Sequence, residues 1–343
     1  MILITGATGL VGSYLALQLA EKGFSIKAIH PENDPIQKTK DLFDLYNKGH
    51  LFSRISWVCA DITDIPSLEI AFENVAYVYH CAGKISFNPS DEKILRKINI
   101  EGTANIVNFC LAKNVKKLCF VSSIEALGDV THNHPEELEN NTSKIINEET
   151  EWNPERANSD YAISKYGAEM EVWRGQQEGL EVIIVNPGVV LGPIPKTWNR
   201  NEGSFRMITK VANGLKHYTQ GSTGFVGVSD VTSCMIQLME SDVKGQRYIL
   251  VSENLTYKEI TTFIANALQV SPPKKEVKKW MSEWICKINW IKSNVFFQKR
   301  TFVKANVLWL HSTDVYSNEK IKSQLSFHFQ PIASVIKEIA TKY

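Results

Sequence analysis

Three glycines, Gly6, Gly9 and Gly12, follow directly on an apolar start in the stretch Thr5-Gly6-Ala7-Thr8-Gly9-Leu10-Val11-Gly12, which leads into a helical pattern over Leu10–Lys22. Strand, glycine turn and helix in that order leave the backbone little choice. The glycines permit a tight turn, close approach of a ligand and close packing of helix on strand. Unpaired N–H groups at the helix start attract phosphate charge. The segment therefore reads as a grip for a dinucleotide, formed by Gly6, Thr8, Gly9, Leu10, Val11 and Gly12. A glycine-rich turn without a ligand is the plainer alternative.

The remaining pattern favours the grip. Apolar, β-rich runs at Ile2–Thr5, Ser25–Ile29, Ile55–Cys59, Ala76–Cys81, Leu118–Ser122 and Val182–Asn186 alternate with helical stretches such as Asp91–Lys113. Repeated βα units predict an α/β fold, a Rossmann-type doubly wound parallel sheet. Ligands of such sheets collect at the carboxyl ends of the strands, where Gly6, Asp61, Ala82, Ser123 and Pro187 would lie. The polar stretch Asp129–Asn158 reads as a long loop. After Gly192-Pro193 the alternation loosens, with further strands at Phe225–Val228 and Tyr248–Val251, each expected to precede a helix. The expected division is a dinucleotide-binding domain of residues 1–191 with about 226–252, and a smaller discontinuous substrate domain of about 192–225 with 253–343.

A chain of 343 residues, 43% hydrophobic and 22% charged, has ample material for a core and no composition of disorder. Its net charge of +1 creates no overall field for nucleic acid or an anionic membrane, although local patches stay open. Six widely spaced cysteines form no metal-ligand set and read as reduced thiols. The first strand starts at residue 2, leaving no room for a signal, and no uncharged apolar run approaches about 18 residues. The expectation is a cytoplasmic protein with neither metal nor membrane span. Trp280, Met281, Trp284, Ile285, Ile288 and Ile291 recur at helical spacing, and core packing or a cover over the substrate is expected for them.

Tyr161 and Lys165 stand four apart at the start of a helical stretch, so they share a face. An ammonium near a phenol favours the phenolate and brings proton exchange with an alcohol oxygen within reach of neutral pH. Tyr316 and Lys320 repeat the spacing in the C-terminal region and are read as a chance pair. Ser123, at a strand's carboxyl end, can donate a hydrogen bond to the oxygen that Tyr161 protonates.

In this order the chain resembles an extended short-chain dehydrogenase/reductase of the NAD-dependent epimerase/dehydratase type, over nearly its whole length. Thr5–Gly12 is similar to that family's glycine turn, Asp61-Ile62 to its adenine contact, and His80-Cys81-Ala82-Gly83 to its strand-end segment. Asn99 to Thr103 is similar to the helix bearing an active-site Asn, and Ser123, Tyr161 and Lys165 to its catalytic set. Pro187-Gly188-Val189-Val190 resembles the segment beside the nicotinamide, in the style of dihydroflavonol reductases and hydroxysteroid dehydrogenases. The resemblance implies that Asp61 bonds the adenine, Lys165 also holds the nicotinamide ribose, and Asn99 supports a proton relay. From the residues alone, Asp61 and Asn99 would serve equally as helix caps.

Two departures matter. NAD users carry an acidic residue after the second strand, whereas this chain has His30-Pro31, with Lys38 and Lys40 close behind. That favours NADP modestly over NAD. Glu125 follows Ser123 where the resembled dehydratases have Asp-Glu, but Ile124 replaces the Asp, so Glu125 is expected at substrate or solvent and dehydration is disfavoured. The expected activity is NAD(P)-dependent interconversion of a ketone or aldehyde with an alcohol on a partly apolar small molecule. Nucleotide-sugar epimerisation, for which Arg200 and Arg206 could hold a diphosphate, and NADP binding without turnover are the alternatives. Oligomeric state is open, a homodimer included.

Overall fold

The computed structural model describes residues 1–128, 145–155, 158–296 and 303–343, so most of the expected loop at Asp129–Asn158 lies outside the described residues. The chain begins β1 (Ile2–Thr5), α1 (Leu10–Glu21), β2 (Ile26–His30), α2 (Gln37–Leu45), β3 (Ile55–Cys59), α3 (Ile65–Ala71) and β4 (Tyr77–His80). It continues through α4 (Glu92–Leu95), α5 (Gly102–Ala112), β5 (Lys117–Val121), β6 (Ile145–Ile146), α6 (Asp160–Gln177), β7 (Glu181–Pro187) and β8 (Val189–Leu191). Then follow α7 (Phe205–Ala212), β9 (His217–Tyr218), β10 (Ser222–Gly227), α8 (Val228–Glu240), β11 (Gln246–Leu250), β12 (Glu253–Thr256) and α9 (Tyr257–Ala267). The last elements are β13 (Lys275–Glu276), α10 (Lys279–Phe296), α11 (Lys304–His311), β14 (Val315–Tyr316), α12 (Glu319–Leu325) and α13 (Ile332–Lys342).

Six expected strands and β11 make one parallel sheet in the order β11-β7-β5-β4-β1-β2-β3. Strands covered on both faces read as continuous apolar runs, and β1, β5 and β7 are buried almost throughout. One face packs on α1 and α8, where Leu15 and Leu19 join Met235 and Leu238. The other packs on α5 and α6 through Ile106, Cys110, Ala168 and Val172. Helix α1 is apolar nearly all round because it is buried nearly all round. Chain order reverses between β1 and β4, and that switch point is the crevice where dinucleotides bind to such sheets.

A second core joins α7, α9 and α13 to a three-stranded sheet, β12-β10-β8, with Phe205, Phe225, Ile260 and Ile336 buried inside it. The strand expected at Phe225–Val228 belongs to this small sheet, and β12 intervenes between β11 and the helix expected after it. Gly188 and Gly224 let the two sheets meet: a Cβ on Gly188 would sit 2.3 Å from the Gly224 carbonyl oxygen.

Helix α10 departs from expectation. Trp280, Trp284, Ile285 and Ile288 are exposed rather than packed in a core. The helix is anchored instead by small and polar side chains, with Ser282 buried and its hydroxyl 2.9 Å from His311 Nε2 on α11.

Candidate active site

The glycine turn has the shape its sequence demands. Gly6 has φ +65°, and a Cβ there would lie 2.6 Å from the Ala82 nitrogen. A Cβ on Gly12 would lie 2.2 Å from the Gly6 carbonyl oxygen, so these two glycines bring β1, β4 and α1 together. Gly9 differs: it is exposed, and the one neighbour a Cβ would meet is 3.4 Å away. Gly9 is the N-cap of α1 without any side-chain cap, which leaves the amides of Leu10 and Val11 outside the helical ladder. An open cradle over an uncapped helix start fits a pyrophosphate.

Just past the end of β3, Asp61 is exposed and its Oδ1 accepts from the amide and hydroxyl of Thr63 at 2.8 Å. Ile62 is buried against Gly102. His30 is half-buried, edge-on to Trp57, and its Nδ1 lies 3.1 Å from the Asp34 carbonyl oxygen. Asp34 itself was not anticipated. Its carboxylate accepts from Thr8 at 2.5 Å and from Lys38 at 2.6 Å, so an acidic group does flank the glycine turn, four residues beyond the strand end. Lys40 pairs with Asp44 instead.

Ser123 stands two residues past β5 and is nearly buried; its Oγ accepts from the Glu125 amide at 3.2 Å. That leaves its proton free to point towards Tyr161, whose phenol Ser123 lowers by its proximity. Tyr161 is in the first turn of α6, whose cap Ser159 accepts from the Ala162 amide at 3.0 Å. Burial pushes the Tyr161 phenol well above its usual range, Ser123 pulls it down, and the Glu125 carboxylate raises it. Lys165, one turn on, is not what sets the phenol. Its ammonium donates to the Val121 carbonyl at 2.8 Å, rests 4.6 Å from the Phe120 ring centroid, and lies 3.6 Å from where a Gly83 Cβ would stand. Burial lowers Lys165 to about 8, opposed by the Glu169 carboxylate. Tyr161 is therefore held protonated, as an acid, while Lys165 faces the passage at Gly83. Glu169 and Arg247, absent from the sequence reading, form a buried pair at 3.5 Å behind it, with Asn186 donating to Glu169 at 2.6 Å.

Asn99 lies in a π-helical turn, Arg96–Glu101, between α4 and α5, a local form common at functional sites. Its Nδ2 donates to the Lys84 carbonyl at 3.0 Å and to Ser164 at 2.8 Å, and Ser164 donates to the Tyr161 carbonyl at 2.8 Å. Asn99 thus fixes the first turn of α6 against the end of β4. A second buried chain supports it. Thr103 donates to the Asn99 carbonyl and so accepts from His80 Nε2 at 3.0 Å, and the neutral ring, protonated there, accepts at Nδ1 from Thr5 at 2.6 Å, whose oxygen also takes the Ala82 amide. The hydroxyls dictate a neutral imidazole with its proton on Nε2. Burial, aided by the Lys165 charge, lowers His80 to about 3. Because the unfolded chain takes up this proton near pH 6.5, the stability linked to His80 is complete above that value and lost as pH falls towards 3. The unfolding free energy of the wild type, measured by urea titration, should therefore fall through this window by on the order of a few kcal/mol more than that of His80→Gln. Parallel pH curves would contradict the assignment.

The pocket above Tyr161 is lined by Phe87, Ile124, Glu125, Leu127 and, from α11, Leu308 and Trp309. Phe87 meets Tyr161 edge-on at 5.6 Å between centroids, Trp309 lies 6.0 Å from Phe87, and Tyr257 5.1 Å from Trp309. The Tyr257 hydroxyl is buried without a hydrogen-bond partner, a polar group missed by the sequence reading. Tyr316 lines the same pocket, but Lys320 is turned to Gln246 at 2.7 Å, so that pair does not act as one. Arg200 is stacked on Tyr343 at 4.4 Å. Pro187 ends β7, and Val189 and Val190 are half-buried on β8. Among the described residues no three His, Cys, Asp or Glu side chains are grouped to hold a metal, and no helix is long and apolar enough to cross a membrane.

A family model described as the NAD dependent epimerase/dehydratase family matches residues 2–250. Sterol demethylase protein B of Methylococcus capsulatus is 25% identical over 301 residues, covering 87% of this chain and 84% of that one. Dihydroflavonol 4-reductase of Arabidopsis thaliana is 27% identical over 267 residues, 77% of this chain and 68% of the relative. The crystal structure of gox2253 superposes with a TM-score of 0.81 at 24% identity, covering 100% of this chain and 97% of that one.

Proposed function

The chain belongs to the NAD dependent epimerase/dehydratase family, and from that premise we propose that it reduces a ketone or aldehyde on a partly apolar small molecule, or oxidises the corresponding alcohol. The observation that carries this reading is Tyr161 set beside Ser123 and packed edge-on against Phe87, a residue that lines an aromatic pocket. A bound nicotinamide dinucleotide supplies or accepts the hydride. Gly6, Thr8, Gly9, Leu10, Val11 and Gly12 would hold its pyrophosphate, Asp61, Ile62 and His30 would flank its adenosine, and Ala82, Gly83, Lys165 and Pro187 to Val190 its nicotinamide half. In reduction, Tyr161 gives its proton to the carbonyl oxygen while Ser123 donates a second hydrogen bond to that oxygen. Asn99 positions Tyr161 through Ser164, and Glu125 borders the substrate.

The relatives' names speak of sterols and dihydroflavonols, and an aromatic wall suits flat, largely apolar substrates of that kind. Epimerisation of a nucleotide sugar would need cations for a diphosphate; of the two named for it Arg200 is committed to Tyr343, which leaves the exposed Arg206. Incubation with NADPH and a panel of steroid, flavonoid and aryl carbonyl compounds should oxidise the cofactor. Isomerisation of a nucleotide sugar without net cofactor oxidation would refute the reading.

For the cofactor, NADP is the reading we favour, because Lys38 and His30 border the place of the 2′-phosphate and Lys38 and Thr8 already occupy the Asp34 carboxylate. Lys38→Ala should then weaken NADPH about tenfold relative to NADH in a binding titration. NAD is the second reading, since Asp34 could accept ribose hydroxyls. It would be supported if Lys38→Ala changed neither ratio nor affinity while Asp34→Asn weakened NADH.

A further inference from the structure

Helix α10 is amphipathic the wrong way round. Trp280, Trp284 and Ile288 follow one another at four-residue steps, forming a single stripe with Ile285 on its border. They are 58%, 60%, 47% and 51% exposed. The opposite side, Ser282, Cys286 and Asn289, is the one turned inward: Ser282 is buried on His311, and the other two are half-buried. A surface helix ordinarily points its apolar stripe at the core. Here the protein spends small and polar residues on the intramolecular contact and leaves three tryptophans, Trp290 included, and two isoleucines exposed.

The charges around the stripe say what would cover it. Lys274, Lys275, Lys278, Lys279 and Lys287 are all exposed, against Glu276 and Glu283. Lys287 stands beside the stripe, its ammonium 5.7 Å from the Trp284 ring centroid. A second copy of the chain meeting this face by two-fold symmetry would set lysines against lysines. An anionic lipid surface would neutralise them. Tryptophan on the apolar side and lysine around it are the composition of helices that lie in the headgroup plane, and the helix is not apolar enough to span.

We propose that α10 docks this protein on an anionic membrane surface, lying flat with Trp280, Trp284, Ile285 and Ile288 in the acyl boundary and the lysines among the phosphates. The attachment does not depend on the reaction proposed above. It does place α11, whose Leu308 and Trp309 line the substrate pocket, directly behind the docked helix.

Flotation of the full chain with vesicles tests this. With roughly one part phosphatidylglycerol to three parts phosphatidylcholine the protein should float at low salt. Binding should fall by about tenfold or more with phosphatidylcholine alone, with high salt, in Trp280→Ser/Trp284→Ser/Ile288→Ser, and in Lys278→Glu/Lys279→Glu. The substituted side chains are exposed, so unchanged melting temperatures would show intact folds. No flotation of the wild type, or flotation that the serine variant retains, would overturn the proposal. So would light scattering that finds a wild-type dimer which the serine variant dissolves, because the face would then belong to a second copy.

Discussion

Tyr161→Phe should lower turnover by a factor on the order of 10³ while leaving cofactor affinity within about twofold. The substitution removes one oxygen and keeps the ring that packs on Phe87. What disappears is the proton that must reach the substrate oxygen. Because burial holds the phenol protonated, reduction should suffer immediately, with no acid of comparable placement to replace it. Ser123→Ala should be milder, since it costs one stabilising hydrogen bond rather than the transferred proton. Stopped-flow measurement of cofactor oxidation with an identified carbonyl substrate would show this. Wild-type rates in Tyr161→Phe would remove Tyr161 from the chemistry.

The second large effect separates the glycines of the turn. Gly6→Ala should destabilise the fold by roughly 3 kcal/mol or more, because it combines a left-handed backbone with a Cβ 2.6 Å from the Ala82 nitrogen. That nitrogen has no freedom to retreat, being bonded to Thr5, which also holds His80. Gly9→Ala should keep stability to within about 1 kcal/mol, since its Cβ would meet only the Gly6 carbonyl oxygen at an ordinary contact of 3.4 Å, yet weaken the dinucleotide about tenfold or more by filling the cradle. Chemical denaturation and cofactor titration of both variants give the contrast. Equal losses of stability would show that Gly9, too, serves packing alone.

Much of this arrangement was legible from local pattern. The six apolar runs were read as strands because a parallel sheet covered on both faces leaves uninterrupted Val, Ile and Leu, and their carboxyl ends carry the site. Ser123 and Tyr161 were singled out by order and spacing, and the fold sets them side by side. The direction of influence on Tyr161 was not, because it depends on where the Lys165 ammonium points, and a carbonyl of β5 claims it. Asp34 escaped because an acidic residue was expected at the strand end itself, whereas the turn between β2 and α2 returns the carboxylate to Thr8. Glu169 meets Arg247 across more than sixty residues of chain, the Tyr257 hydroxyl has no hydrogen-bond partner, and no periodicity marks these residues. Helix α10 misled for the opposite reason: its periodicity was plain, but periodicity tells which side is apolar and not which way that side faces.

The π-helical turn at Arg96–Glu101 amounts to one extra residue carried inside an otherwise continuous helix from Glu92 to Ala112. Each residue of an α-helix advances about 100°, so everything beyond the turn is rotated by that amount relative to a helix without it. A relative lacking this single insertion would aim a neighbour of Asn99 at Lys84 and Ser164. Alignments around this segment must therefore admit a gap inside a helix, a place where gaps are ordinarily penalised, or they will pair the wrong side chain with Asn99.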